Sequence, residues 1–252
     1  MTGSERRAVI IQALGARGRV SVSELSQLIR VSDMTIRRDL EALEREGLLR
    51  RIHGGAVSVT SLSYEPPYIL RKEQNSAAKV RIGRKAASLL NEGETIILDV
   101  GSTAVEVARA LKGRVNLTVL TSNLRAAAIL ADEPGIVLLL TGGRARAGER
   151  SLVGHLAVRT FNELVFDVFI MGVAGIHPDY GVTDYNMDEA QVKRTAIRAS
   201  QRRIITADSS KLGKVAFAKL CDLDDIDVIV TDDGAPDELA NVESESIATI
   251  IA

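Results

Sequence analysis

Apolar residues recur with the period of an α-helix in three stretches near the start of the chain. Ser21 and Glu24 have the spacing of a capping box, which begins the second of these stretches. Ser32 or Asp33 is expected to cap the third, which runs to about Gly47. These features predict three short helices. Their apolar stripes are Val9, Ile10, Ala13 and Leu14, then Leu25, Leu28 and Ile29, then Ile36, Leu40 and Leu43.

A β-hairpin is predicted directly after the third helix. Residues 48–57 form two short extended pieces around a turn that contains Gly54 and Gly55. Three helices followed by such a hairpin are the elements of a winged helix-turn-helix domain, in which the hairpin is the wing. We expect this domain over residues 1–58.

The charges of the third predicted helix divide it into two halves. Arg38 and Arg45 point away from its apolar stripe, and three glutamates crowd its C-terminal half at residues 41–46. A phosphate-rich duplex would repel that half, so only the N-terminal turns are expected to approach DNA, as recognition helices do. The predicted DNA contacts are Ser32, Thr35, Arg37 and Arg38 in the helix, and Arg50, Arg51, His53 and Gly54 in the wing.

The rest of the chain alternates between buried-strand and amphipathic-helix patterns. Strands are predicted at residues 95–99, 117–121, 136–141, 165–172, 203–208 and 228–231. Helices are predicted at residues 78–90, 103–111, 124–132 and 187–200, with a short one after Pro236. Apolar strands interleaved with helices indicate an α/β fold with a mostly parallel sheet covered on both faces.

Small, hydroxyl and acidic residues follow the predicted strands, at the sheet edge where open α/β folds bind ligands. Gly101-Ser102-Thr103 opens a helix, so its amides and hydroxyls could hold a phosphate, and Lys211 could neutralise it. Any single turn of this kind is ordinary turn chemistry, but several at one edge predict a polyol-phosphate pocket. The candidates are Asp99, Gly101, Ser102, Thr103, Thr121, Asn123, Thr141, Gly142, Gly143, Gly172, Gly175, Asp208, Ser209 and Lys211.

A connector separates the two parts. Residues 59–76 include a small polar stretch and then Pro66 and Pro67, which favour extended backbone, so we expect a semi-rigid linker there and the second domain over residues 77–252. The charge also differs between the parts. Residues 1–58 carry ten Lys/Arg and seven Asp/Glu, whereas the whole chain has a net charge of -1.

Composition limits the class of protein. Apolar residues are 46% and charged residues 26% of the 252 residues, which is typical of a globular protein. No apolar run approaches the roughly 20 residues that span a bilayer, so we expect a cytoplasmic protein without a membrane partner. Cys221 is the only cysteine and the three histidines are far apart, so neither a disulfide, a metal site nor a cofactor is expected.

The sequence resembles the DeoR-type bacterial transcriptional regulators over nearly its whole length. In the first part the matching residues are Arg7, Ile11, 32–40 and 46–56. In the second part they are Arg71, Asn75, Lys79, 99–103, 121–123, 141–143, 172–176, 181–184, 189–194 and 207–213. The resemblance implies a sensor domain similar in fold to ribose-5-phosphate isomerase, and it adds Asp184, Glu189 and Lys193 to the candidate effector contacts.

The resemblance also implies a function. Such regulators usually repress genes for carbohydrate or polyol use and leave their DNA operator when a phosphorylated intermediate binds. They are commonly dimers or tetramers, so a homo-oligomer is expected. Our hypothesis is that the effector changes the orientation of paired recognition helices through the Pro66-Pro67 joint, so that they no longer fit half-sites about one helical turn apart.

Other readings remain open at this point. The first 58 residues could form a small interaction module, because charged residues usually lie on the solvated face of a helix. The second part could be a sugar-phosphate isomerase or deaminase with Asp184, Glu189 or Asp208 as its base, since fold does not decide function. Glu189 and Lys193 are four residues apart, which is also the spacing of a surface ion pair. An RNA-binding module is disfavoured because residues 1–58 contain no aromatic side chain.

Arg38 is the residue of the predicted recognition helix whose role is tested most simply. If it reads a guanine, replacing it with Ala is expected to cost about 1–3 kcal/mol of operator-binding free energy. A DNA-binding titration at fixed salt measures this change. Unchanged operator affinity in the variant would remove Arg38 from the set of reading residues.

Overall fold

The structure is a computed structural model that describes residues 2–45, 48–58, 62–234 and 247–252. The chain divides into two compact units, Met1–Pro66 and Pro67–Ala252. Each unit has its own hydrophobic core.

The first unit contains three helices and a small antiparallel sheet, as the pattern of apolar residues predicts. The helices are α1 (Gly3–Arg17), α2 (Val22–Ile29) and α3 (Asp33–Arg45). The strands are β1 (Arg19–Ser21), β2 (Leu49–Ile52) and β3 (Gly55–Ser58), in the order β1-β3-β2. The wing therefore has a third strand that the sequence did not reveal, because β1 is only three residues long.

Local sequence signals set the helix ends in this unit. The predicted Ser21–Glu24 capping box is confirmed at the start of α2, and Thr2 with Glu5 forms a second one at the start of α1. Ser32, the residue before α3, accepts a hydrogen bond at 3.3 Å from the amide of Thr35, so it satisfies one amide of the first turn. The predicted end of α3 near Gly47 lies outside the described residues.

The core of the first unit joins all three helices to the wing. Ile36, Leu40 and Leu43 are each at most 1% exposed, which confirms the predicted buried face of α3. Asp39, one residue along from Leu40, accepts two hydrogen bonds from the Arg6 guanidinium of α1 at 2.5 and 3.1 Å. This bidentate pair fixes α3 against α1, so the exposed side of α3 has a defined orientation within the unit.

The second unit is an α/β domain built on a parallel sheet. Its seven described strands are β4 (Thr95–Leu98), β5 (Leu117–Thr121), β6 (Ile136–Leu140), β9 (Phe166–Met171), β12 (Ser200–Thr206), β14 (Val228–Thr231) and β15 (Ala248–Ile251). They lie in the order β15-β14-β12-β9-β4-β5-β6, and every neighbouring pair is parallel. The predicted mostly parallel α/β fold is confirmed.

Helices and smaller strands surround this sheet. The helices are α4 (Tyr68–Glu73), α5 (Ser76–Ser88), α6 (Ser102–Ala110), α7 (Leu124–Leu130), α8 (His155–Asn162) and α9 (Met187–Arg198). The remaining strands are β7 (Arg144–Ala145), β8 (Leu152–Val153), β10 (Gly175–His177), β11 (Gly181–Asp184) and β13 (Ala218–Cys221). The helix predicted after Pro236 lies outside the described residues.

The structure differs from the expected linker in its second half. Residues from Pro67 onward belong to the second compact unit, where α4 begins directly after Pro67. Tyr68 is buried, and the Arg125 guanidinium lies 3.6 Å from the centre of its ring. Proline is compatible with the start of a helix, so the two prolines mark the beginning of α4 rather than a longer extended segment.

The sheet has one apolar edge. β6 is the last strand on its side, and Val137, Leu139 and Leu140 are 60%, 38% and 49% exposed. The described backbone pairing of β6 is to β5 on its inner side. In the described part of the chain, no helix is both long and apolar enough to cross a membrane.

Candidate functional site

A cavity lies beyond the carboxyl ends of β4, β9 and β12, the three central strands of the large sheet. It is open to solvent, and the space between its lining residues and the solvent is about 570 Å³, part of which is solvent outside the cavity. Its lining residues are Arg71, Lys79, Val100, Gly101, Ser102, Thr103, Gly172, Val173, Ala174, Asp184, Tyr185, Glu189, Lys193, Thr206, Ala207, Asp208 and Lys211. This is the edge at which open α/β sheets bind ligands.

The start of α6 forms one wall of the cavity. Gly101 precedes the helix with φ +99°, a conformation that favours glycine, and no described side chain caps the first turn. Ser102 and Thr103 are both buried there. A helix start combines open amide groups with the positive end of the helix dipole, so this wall is suited to an anionic group.

A buried lysine joins three parts of the cavity floor. The Lys193 ammonium group lies 2.9 Å from Asp99 and 2.6 Å from Asp184, and it donates to the Gly172 carbonyl at 2.7 Å. Asp99 in turn accepts from the Gly172 amide at 2.9 Å. The two carboxylates and the ammonium group therefore satisfy one another, and they form a charged framework beneath the cavity.

The pKa values of this cluster follow from burial and charge together. Burial raises the pKa of Asp99 to about 6, although the nearby Lys193 acts in the opposite direction. Burial by itself lowers the pKa of Lys193, but Asp184, Asp99 and Glu189 outweigh it and raise that pKa above its usual value. Lys193 therefore stays charged at neutral pH, as the ion pairs require.

Glu189 also lines the cavity and is held by the turn of the chain between β7 and β8. Its carboxylate accepts hydrogen bonds from the Arg146 guanidinium and the Ser151 hydroxyl. Glu189 is 5% exposed. The helical spacing from Glu189 to Lys193 therefore does not mark a surface ion pair, because both side chains are buried and have other partners.

Lys79 and Asp208 form a second charged group in the cavity. The Lys79 ammonium group donates to the carbonyls of Arg71 and Gln74 and lies 3.7 Å from Asp208. Burial lowers the pKa of Lys79 to about 8. Burial by itself raises the pKa of Asp208, but hydrogen bonds from Ser210 and Asn75 and nearby lysine charges bring it below its usual value.

Lys211 differs from the other cavity lysines. It follows β12 in a short 3-10 turn and is partly exposed. Among the described residues, no carboxylate lies within ion-pair distance of its ammonium group. Its ammonium group thus lies in the cavity lining without a described ion-pair partner.

Nine of the predicted effector contacts lie together in the lining, and eight lie outside it. Those in the lining are Gly101, Ser102, Thr103, Gly172, Asp184, Glu189, Lys193, Asp208 and Lys211. Those outside it are Asp99, Thr121, Asn123, Thr141, Gly142, Gly143, Gly175 and Ser209. The second group had been predicted because each follows a strand, which is also where structural turns occur.

Several of the residues outside the lining have structural contacts instead. The Thr121 hydroxyl donates to the Leu98 carbonyl at 2.6 Å, and the Asn123 side chain caps α7. A side chain at Gly175 would lie 2.3 Å from the Lys214 carbonyl oxygen, so this glycine allows close packing of two backbones. The Ser209 amide and hydroxyl both donate to Asp232.

Two cationic lining residues, Arg71 and Lys79, are not among the predicted effector contacts. Both belong to the stretches that carry the family resemblance, but they precede the sheet and have no strand-end signal. They reach the cavity because α4 and α5 pack next to α6. The resemblance was therefore the only sequence signal for them.

Most of the predicted DNA contacts are exposed. Arg37 and Arg38 on α3 and Ser32 just before it are exposed, while Thr35 is half-buried and its hydroxyl lies 2.9 Å from that of Ser32. Met34 is 61% exposed in the same turns and was not predicted. A thioether side chain there could contact a thymine methyl group.

The wing residues are exposed as expected, and one of them, Arg51, forms an ion pair with Glu44. Arg50, Arg51, His53 and Gly54 all face solvent. The Arg51 guanidinium lies 3.8 Å from Glu44 of α3, and its amide donates to the same carboxylate at 2.8 Å. Arg51 thus helps to join the wing to α3.

The fold and the two sites define a DNA-binding module joined to a ligand-sensing α/β domain. The protein-family model of the DeoR-like helix-turn-helix domain matches residues 6–62. The family model of the DeoR C-terminal sensor domain matches residues 74–233. The chain therefore belongs to the DeoR family of transcriptional regulators. The resemblance noted in the sequence is confirmed.

Similar proteins carry regulatory names. A putative aga operon transcriptional repressor of Escherichia coli O157:H7 is 35% identical over 98% of this chain and 93% of its own. The transcriptional regulator GlpR of Haloferax volcanii is 35% identical over 100% of this chain and 98% of its own. The glycerol-3-phosphate regulon repressor of Haemophilus influenzae is 33% identical over 100% and 97%.

Solved structures resemble part of the chain. Ribose-5-phosphate isomerase A of Methanocaldococcus jannaschii is 16% identical over 55% of each chain, with a TM-score of 0.41. A probable sor operon regulator of Shigella flexneri is 13% identical over 55% of this chain and 77% of its own, with a TM-score of 0.39.

Removal of the buried cation tests the charged framework. Replacing Lys193 with Met leaves Asp99 and Asp184 buried without their partner, which is expected to lower the free energy of unfolding by about 3–5 kcal/mol. Urea unfolding followed by far-ultraviolet circular dichroism measures the loss. Replacing the exposed Lys219 with Met is the matched control, with an expected change within about 0.5 kcal/mol. Equal stability of the two variants would contradict a structural role for Lys193.

Proposed function

We propose that the protein represses genes for carbohydrate or polyol use and that a phosphorylated sugar or polyol releases it from its operator. The names of the relatives support this proposal, since they include repressors of an aga operon and of a glycerol-3-phosphate regulon. The effector binds in the strand-end cavity of the second unit, and double-stranded DNA binds to α3 and the wing of the first.

One observation carries the effector part of the proposal. The uncapped start of α6 lies in the same cavity as Lys211, a cation without a described ion-pair partner. A phosphate there would receive amide and hydroxyl hydrogen bonds from residues 101–103 and a positive charge from Lys211.

The same cavity favours binding over catalysis, so we propose that the protein is not an enzyme. The candidate bases are Asp184, Glu189 and Asp208. Asp184 is paired with Lys193, Glu189 accepts from Arg146 and Ser151, and Asp208 accepts from Asn75 and Ser210. A base needs a free lone pair beside the C1–C2 bond of the substrate, and these pairings compete with that role.

For the first unit we propose that residues 1–58 make the DNA contacts and that residues 77–252 carry the effector response. The exposed Arg37 and Arg38 support base contacts, while Arg50, Arg51, His53 and Gly54 are suited to backbone contacts that hold register. Residues 59–76 join the two functions, and the part from Pro67 is packed in the sensing unit.

The experiment that tests this function is a DNA-binding titration on the upstream region of the protein's own gene. It is repeated at fixed salt with a panel of hexose, pentose and polyol phosphates, and each phosphate is also incubated with the protein to detect turnover. Weaker DNA binding with one phosphate supports the proposal and identifies the effector. Turnover without DNA binding would instead support the sugar-phosphate enzyme.

A substitution at Lys211 separates DNA binding from the response to the effector. Replacing it with Ala is expected to leave operator affinity unchanged and to abolish release by the effector, because the phosphate loses its unpaired cation. The same titration measures both quantities. Lys214→Ala is the matched control, since Lys214 is exposed and outside the lining, and it is expected to respond like the unmodified protein. Loss of DNA binding in a folded Lys211 variant would contradict the division of roles.

We propose a homo-oligomer, and the apolar edge of the sheet supports it. An unprotected edge strand can pair with another strand, and β6 has no charge or proline that would prevent this. Antiparallel pairing of two β6 strands would give a two-fold dimer and place the acidic residues before one strand, such as Asp132, near Arg144 after the other.

A charge on β6 tests this interface. Val137→Lys is expected to shift the molar mass in solution from a dimer or tetramer towards the monomer, because it introduces like charges at the paired edges. Size-exclusion chromatography with light scattering measures the mass. Val165→Lys is the matched control, since Val165 is 72% exposed and lies outside β6. An unchanged mass in the Val137 variant would exclude this edge as the interface.

A further inference from the structure

The turn between β7 and β8 brings an acidic side chain to the cationic wall of the cavity. Arg71 lines the cavity beside the start of α6, where its Nη1 atom is 3.9 Å from the position that a Cβ would take on Gly101. The Glu149 carboxylate forms an ion pair with the Arg71 guanidinium. The Glu149 carboxylate is therefore bound next to the start of α6, which is the cavity wall suited to an anionic ligand.

The position of Arg71 is set independently of Glu149. Its carbonyl oxygen accepts hydrogen bonds from the Lys79 ammonium group and, at 3.3 Å, from the Ser102 hydroxyl. The arginine backbone is thus tied to two residues of the cavity lining. Loss of the ion pair would leave the guanidinium group near the cavity.

The turn itself is held mainly through polar contacts. Arg125 of α7 donates to the Gly148 carbonyl at 2.8 Å and to the Glu149 carbonyl, and Arg146 donates to Glu189. Residues 147, 148 and 150 are exposed. Two of the anchors, Arg71 and Glu189, also line the cavity, so a ligand could reach both of them.

We propose that Glu149 takes the place of an anion at Arg71 and that the phosphate of the effector displaces it. This inference rests on the proposed effector site and names the residue that the effector competes with. A phosphate group carries up to two negative charges and offers several acceptor oxygens, so it is a stronger partner for a guanidinium group than one carboxylate. Displacement removes one side-chain anchor of the turn at residues 145–151, while the Arg125 contacts to residues 148 and 149 remain, and the loosened turn becomes the element that reports ligand binding.

Glu149 lowers the affinity for the effector because it competes with the effector for Arg71. Because part of the binding free energy is used to break the Arg71–Glu149 pair, neutralising Glu149 should strengthen anion binding. Residues that merely support the fold would not show this gain.

The test compares Glu149→Gln with the unmodified full-length protein, using inorganic phosphate as the probe. Isothermal titration calorimetry is expected to show about tenfold tighter phosphate binding in the variant. Glu163→Gln is the matched control, because Glu163 forms an exposed ion pair with Arg159 on α8, and no change in affinity is expected there. Circular dichroism establishes that both variants are folded.

Hydrogen–deuterium exchange supplies a second readout at residues 144–153. Phosphate is expected to increase exchange in this segment of the unmodified protein, and Glu149→Gln is expected to show the increase without phosphate. Equal phosphate affinity in the two proteins, or protection of the segment by phosphate, would overturn the displacement while leaving the anion site in place. Absence of phosphate binding in both proteins would overturn the anion site itself and the displacement with it.

Discussion

The Lys193 ammonium group lies buried between Asp99 and Asp184 and donates to the Gly172 carbonyl, so a single charge joins the ends of β4, β9 and β11 to α9. Each partner would be costly to bury alone, and together they are satisfied. Because these segments border the cavity, its shape depends on this cluster.

The same cluster explains which charges remain for a ligand. Most acidic and basic side chains in the cavity already have partners within the domain, including Lys193, Glu189 and Asp208. What remains is the uncapped start of α6 and the charge of Lys211, both suited to an anion. A cavity with its carboxylates engaged in this way is better adapted to holding a phosphorylated ligand than to moving protons on it.

In the first unit, buried contacts hold α3 and its charged side chains at a fixed orientation. The buried stripe of α3 and the Arg6–Asp39 pair orient the helix, while Arg37 and Arg38 remain exposed. Arg51 is paired with Glu44, so part of the positive charge of the wing serves its attachment to α3. This arrangement leaves Arg37 and Arg38 accessible for the proposed DNA contact of α3.

The sequence by itself determined the element types, the parallel sheet, the buried face of α3 and the family, because these depend on periodicity and on long local motifs. It also located Gly101, Ser102 and Lys211, since each follows a strand of the sheet. Only the tertiary structure decided that Thr121 and Asn123 have structural roles, that Lys193 is buried between two carboxylates, and that Arg71 and Lys79 reach the cavity. Those outcomes depend on which segments pack side by side, and Arg71 and Glu149 are 78 residues apart in the chain.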